Sequence, residues 1–166
     1  MITNTKKLTE MALLTTAALI IFIVELHIPN LIPIPGVKPG LANIITVYAV
    51  YHYSAKDSAI ILLVRIILGT IFSGNMMSLS YSLAGGFLCL VGMLLLRRVI
   101  EEKYIWVCSV LGAVLHNVGQ ITVAVIITGT VSIAMYFPFL LISGCIAGLL
   151  TGLCAQGVTL KMKTIK

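Results

Sequence analysis

From Tyr104 to Leu160 the chain carries no Asp, Glu, Lys or Arg. A water-soluble fold cannot give up charge over so long a stretch, because the outer face of a surface helix must be solvated. A bilayer accepts it: lipid-facing positions favour apolar side chains, and helices satisfy their own backbone polar groups. The rest of the chain shares the bias, with 60% hydrophobic and 10% charged residues, against about 25% charged in ordinary soluble domains. The expectation is an all-α, polytopic membrane protein forming one integral domain over residues 1–166.

Hydropathy and helix breakers divide the chain into six spans, at about residues 8–27, 41–54, 57–73, 77–96, 104–128 and 132–156. The stretch IPNLIPIPGVKPG, Ile28 to Gly40, holds four of the five prolines and closes the first span. Ser73-Gly74-Asn75 separates the third from the fourth, and Gly129-Thr130 the fifth from the sixth. The second span is short, reaching roughly 21 Å against a hydrocarbon core of roughly 30 Å. Charge argues for keeping it. With six spans, one side collects Lys6, Lys7, Lys56, Arg97, Arg98, Lys103, Lys161, Lys163 and Lys166, the other only Lys38, and Arg65 lies within a span. The positive-inside rule then puts both termini in the cytoplasm of a multi-pass cell-membrane protein. Without the second span, Arg97, Arg98 and Lys103 would fall outside. The net charge of +6 is therefore a topology signal, and no nucleic-acid partner is expected. No cleavage site precedes Pro29, so no cleaved leader is expected.

Packing can be read from small residues. Gly144, Gly148 and Gly152 repeat every four residues, flanked by Ala147, Thr151 and Ala155. Such rows let backbones approach where hydrophobic burial offers no drive. The row suits packing inside the bundle first and a partner-docking face second. Ala12, Thr15, Thr16, Ala17 and Ala18 form another small patch on the first span, a second candidate docking face. Cys89, Cys108, Cys145 and Cys154 lie in apolar segments without metal-ligand spacing and read as packing residues.

Catalytic patterns are missing. No Walker glycine loop, HExxH or GxSxG occurs, and Glu10, Asp57, Glu101 and Glu102 fall at the basic boundary as solvated helix ends. No metal site, cofactor or catalytic residue is expected. The polar residues inside the spans say more. A charge near the bilayer centre costs at least ~2.5 kcal/mol, so it must face the bundle interior, water or a partner. Arg65 lies mid-way along the third span. His116, Asn117 and Gln120 cluster in the fifth, with His116 and Gln120 one turn apart. Glu25 and His27 close the outer end of the first span, Asn43 starts the second, and Asn75 caps the outer end of the third. Roofed by Lys38, these residues would line a pocket open to the outside. Its cationic excess would favour phosphate or carboxylate. The competing reading is structural, with Arg65 paired to Glu25 and the amides stapling helices. His52 and Tyr53 read as interfacial anchors.

The segments PGVKPGLANI (Pro35–Ile44), LVRIILGTIFSG (Leu63–Gly74), LAGG (Leu83–Gly86) and GAVLHNVGQ (Gly112–Gln120) together resemble the Gx transporter family, whose members are often labelled heptaprenyl diphosphate synthase component I. The resemblance covers nearly all the chain. That family is in turn similar to the S components of energy-coupling factor (ECF) importers. These are six-helix proteins that bind vitamins or related micronutrients in the outer half of the bundle. They work with a coupling protein and two ATPases, and reorient to release substrate inward. The resemblance implies a binding subunit for a small anionic or amphipathic micronutrient or cofactor precursor. S components often carry an Ala-x-x-x-Ala contact motif in the first helix; the nearest match is Ala12-x-x-x-Thr16. The alternative is a non-transporting accessory subunit in isoprenoid or quinone metabolism or in flavin-based extracellular electron transfer. Prenyl-chain synthases resemble one another in paired aspartate-rich motifs that hold magnesium. Asp57 is the single aspartate here, so stand-alone synthesis is not expected.

Overall fold

The computed structural model describes residues 4–28 and 40–164. Among the described residues six α-helices follow one another: α1 (Asn4–His27), α2 (Asn43–His52), α3 (Ala55–Ser73), α4 (Met76–Leu96), α5 (Ile105–Thr128) and α6 (Phe137–Thr164). Short 3-10 helices at Glu102–Tyr104 and Val131–Tyr136 lead into α5 and α6. Residues 29–39, with Lys38 and most of the proline-rich stretch, lie outside the described residues.

The breaks are chemical. Ser54 and Asp57 form a reciprocal capping box at the start of α3. Gly74 ends α3 and Gly129 ends α5, each with φ near +60°, where a side chain would be strained. Pro138 sits in the first turn of α6, where its missing N–H costs nothing. Asn75, expected as a cap on the third span, instead caps α4: its Oδ1 accepts from Met77 N at 2.9 Å. The αL glycine already closes α3, and an Asn oxygen satisfies the orphan N–H groups of a helix start.

Four helices, α1, α4, α5 and α6, are long and apolar enough to cross a membrane. The α3 helix has 19 residues, about 28 Å, but carries Lys56, Asp57 and Arg65. The second element is the main correction. It has 10 residues rather than the expected span 41–54, about 15 Å, because residues 41–42 form a turn. It is no spanning helix on its own. It is a plug: Asn43, Thr46, Val47, Ala49 and Val50 are buried against its neighbours.

Contacts bring the basic residues to one end of the bundle. Lys7 on α1 pairs with Asp57 at the start of α3, 2.7 Å apart. The Tyr53 hydroxyl donates to Glu10 at 3.0 Å. Arg97, after α4, donates to the carbonyls of Val50 and Tyr53. Tyr48 reaches Met162 near the end of α6, and Gln156 of α6 accepts from Trp106 N of α5.

The α5–α6 seam is built on the glycine row. A Cβ at Gly148 would lie 2.9 Å from Ala113 Cβ and Val110 Cα, and one at Gly152 would lie 2.6 Å from Trp106 Cα. The Gly144, Gly148 and Gly152 face is thus closed within the chain and offers no docking surface. Ser109 and Thr151 hydrogen-bond across the same seam at 3.1 Å. Ala12 and Thr16, by contrast, are exposed on α1. The outward faces of α1, α3 and α6 carry exposed Leu13, Ile20, Val24, Leu63, Ile67, Ile71, Phe139, Ile142 and Ile146. Large apolar patches of that extent suit lipid rather than water.

A buried polar cluster at the end opposite the basic residues

Four helices, α1, α2, α3 and α5, and the turn before α2 converge away from the basic end. Glu25, near the C-terminus of α1, is buried. Its Oε1 accepts from the backbone N–H groups of Gly40 (2.5 Å) and Leu41 (3.2 Å). A side chain of α1 therefore caps the turn that starts α2, which has no side-chain cap of its own. Those donors would otherwise be orphaned at a helix start. Asn43, the first residue of α2, presents its Oδ1 to Arg65 Nη2 of α3 at 3.2 Å. The Arg65 guanidinium also lies 5.9 Å from the centre of the Phe22 ring, a favourable cation–π placement.

The direct Arg65–Glu25 ion pair is not formed. The two groups are close enough to interact through space, but each spends its hydrogen bonds elsewhere. Glu25 is compensated by backbone N–H dipoles, while Arg65 has one neutral partner, Asn43, among the described residues. Among the described residues the cluster thus holds one carboxylate and one guanidinium, of which only the carboxylate is met by backbone N–H groups.

His116 of α5 lies between the Gly40 turn and α4. A Cβ at Gly40 would come 3.3 Å from its Nε2, and one at Gly85 would come 2.9 Å from its Nδ1. The glycines make the ring's slot. Gly85 belongs to the LAGG segment, yet no local feature of the sequence linked it to His116. Gln120 lies one turn further along the same face. Asn117 is rotated about 100° away and turns to α6, where its Nδ2 donates to Leu140 O at 2.5 Å.

Burial and satisfaction do not match. Arg65 is 5% exposed, His116 4%, Asn117 1% and Gln120 2%. Among the described residues Asn117 Oδ1 and Gln120 Oε1 have no hydrogen-bond partner, and His116 Nδ1 has none of good geometry, though it interacts with the Gly85 backbone. Each such orphan costs about 1–3 kcal/mol, and native interiors hold few of them. The three lie on one and a half turns of one helix, beside Arg65.

Other expected residues fall elsewhere. Asn75 is committed to capping α4, His27 is exposed and bonds the Ile23 carbonyl, and Lys38 lies outside the described residues. Among the described residues no group of three His, Cys, Asp or Glu is arranged to hold a metal ion.

A family model described as heptaprenyl diphosphate synthase component I matches residues 14–158, most of the chain and all of the elements that build this cluster. No curated protein and no solved structure matches the chain.

Proposed function

The chain belongs to the heptaprenyl diphosphate synthase component I family, and from that premise we propose that it is a substrate-binding membrane subunit for uptake of a small anionic or amphipathic micronutrient or cofactor precursor. The observation that carries the reading is the cluster of Arg65 with the under-partnered polar atoms of His116, Asn117 and Gln120. In an apolar bundle, buried ionisable groups without full internal partners mark a ligand or ion site. Arg65 receives the anionic group. Asn43 and the Gly40 turn, fastened by Glu25, fix its orientation. His116 and Gln120 read the rest of the molecule, and Asn117 braces α5 on α6 while offering Oδ1.

The basic end, holding Lys7, Lys56, Arg97 and Arg98, faces the cytoplasm by the positive-inside rule, which turns the polar cluster outward. If the resemblance of this family to S components holds for the chain, the loaded bundle would reorient and release its cargo inward. The partners would be a coupling protein and ATPases, with the exposed Ala12–Thr16 face of α1 as the contact. Stand-alone prenyl synthesis finds no support: Asp57, the single aspartate, is occupied by Lys7 and Ser54.

The same exposed face of α1 also favours a second reading, an accessory subunit held against a synthase or a flavoprotein. A thermal-shift screen of the detergent-solubilised protein against vitamins and isoprenoid phosphates tests the first reading. Stabilisation by at least one anionic compound is expected. Silence across the panel, with a synthase or flavoprotein recovered in pull-downs in place of ATPases, would favour the second.

A further inference from the structure

A different feature lies at the basic end, away from the polar cluster. A groove of about 270 Å³ runs between the start of α3 and the end of α4, lined by Ala55, Val91, Leu94, Leu95, Arg97 and Arg98. Its two arginines are unlike. Arg97 is half-buried and spends Nη1 on the carbonyls of Val50 and Tyr53. Arg98 is exposed, and no side-chain hydrogen bond or ion pair engages it among the described residues. Both arginines also border a neighbouring cleft with Glu101 and Glu102, but no acidic residue lines the groove itself.

The groove's polarity runs along α4. Val91 and Leu95 are one turn apart on α4 and exposed, and Arg98 follows in the turn just past the helix end. The apolar span of α4 ends at Leu96, so the arginines stand where hydrocarbon gives way to headgroups. A cationic head above an apolar wall complements one amphiphile: a phosphate with an acyl chain attached. Free phosphate would use Arg98 but leave the wall uncovered; a neutral lipid would do the reverse.

We infer that this groove is a site for an anionic membrane phospholipid, with the phosphate on Arg98 and the open side of Arg97 and one acyl chain along Val91, Leu94 and Leu95. A bound lipid there would join the ends of α3 and α4 that α2 packs against. Arg97 already ties α2 to this corner, so the lipid would brace it from outside.

The test is native mass spectrometry of the full chain in a mild non-ionic detergent, titrated with phosphatidylglycerol or with phosphatidylcholine of the same acyl chains. One phosphatidylglycerol retained in preference to phosphatidylcholine is expected. Arg98→Gln should weaken that retention about fivefold, from roughly 1 kcal/mol per basic residue at a lipid surface. Arg65→Met should leave it unchanged, which separates this site from the polar cluster. Inorganic phosphate at the same concentration should not displace the lipid. Equal retention of the two lipids, an Arg98→Gln variant that binds like wild type, or displacement by inorganic phosphate would each overturn the inference.

Discussion

Replacing Arg65 with methionine separates a ligand-binding arginine from a structural one. The change keeps most of the stem volume and removes the charge and the hydrogen bond from Nη2 to Asn43 Oδ1. Two terms dominate in the empty protein, since the attraction between Arg65 and Glu25 ranks below that carboxylate's backbone hydrogen bonds. Leaving the buried Asn43 oxygen without its donor costs about 1–3 kcal/mol. Removing a guanidinium from the interior of a membrane bundle returns at least ~2.5 kcal/mol on insertion scales. They nearly cancel, so the empty variant should melt within a few degrees of wild type, or above it. Ligand binding has no such compensation. A lost charge-assisted hydrogen bond of about 1.5–3 kcal/mol weakens affinity roughly 10- to 150-fold. The assay is thermal unfolding in mild detergent, with and without the compound that stabilises wild type. A large fall in the empty protein's melting point, with the ligand-induced shift intact, would refute the reasoning. That is the pattern of a broken buried pair, which costs about 3–5 kcal/mol.

Other consequences follow from the same contacts. Glu25→Ala strips the acceptor from Gly40 and Leu41 N–H and should cost about 2–4 kcal/mol; hydrogen exchange at residues 40–43 should speed up far more than at the α5–α6 seam, and uniform loss of protection would contradict the capping role. Gly148→Val drives a branched side chain into Ala113 and Val110 and should destabilise by about 1–3 kcal/mol, seen as a lower melting point, whereas Gly157→Ala, inside α6 with open space around it, should leave the melting point equal or slightly higher. Burial, and then the bond to Glu10, push the Tyr53 hydroxyl up to about 12. The folded state thus favours the protonated phenol: its contribution is complete below the ordinary value of 10.0 and is lost as pH rises through about 12. In an ultraviolet phenolate titration, wild type and Tyr53→Phe should coincide up to about pH 10 and diverge only above it.

The long apolar elements were legible because composition decides them. The α4, α5 and α6 helices follow runs without charge, bounded by Gly74-Asn75, the Arg97–Lys103 cluster and Gly129. The sequence also placed Arg65, His116 and Gln120 in one buried region, since intramembrane polar groups have few places to go. What it hid was set by partners distant in the chain. Glu25 reads in sequence as a ligand or an ion-pair partner of Arg65, whereas its Oε1 accepts from a turn fifteen residues on. Asn117 sits next to His116 in sequence, yet one helical step turns it to α6. The second element looked like a short span because charge counting rewards any crossing there; its turn at residues 41–42 and its burial on several sides depend on neighbours that hydropathy does not see. Asn75 was assigned to the helix it follows, although its oxygen serves the helix it precedes.

The central claim is that the buried cluster around Arg65 and His116 holds a small anionic molecule. It is tested most directly by mass spectrometry of what co-purifies with the wild-type protein in mild detergent, beside Arg65→Met purified in parallel. One anionic small molecule bound to wild type and missing from the variant is the predicted result. A folded wild-type protein that carries no such molecule, or a variant that retains it in equal amount, would contradict the account.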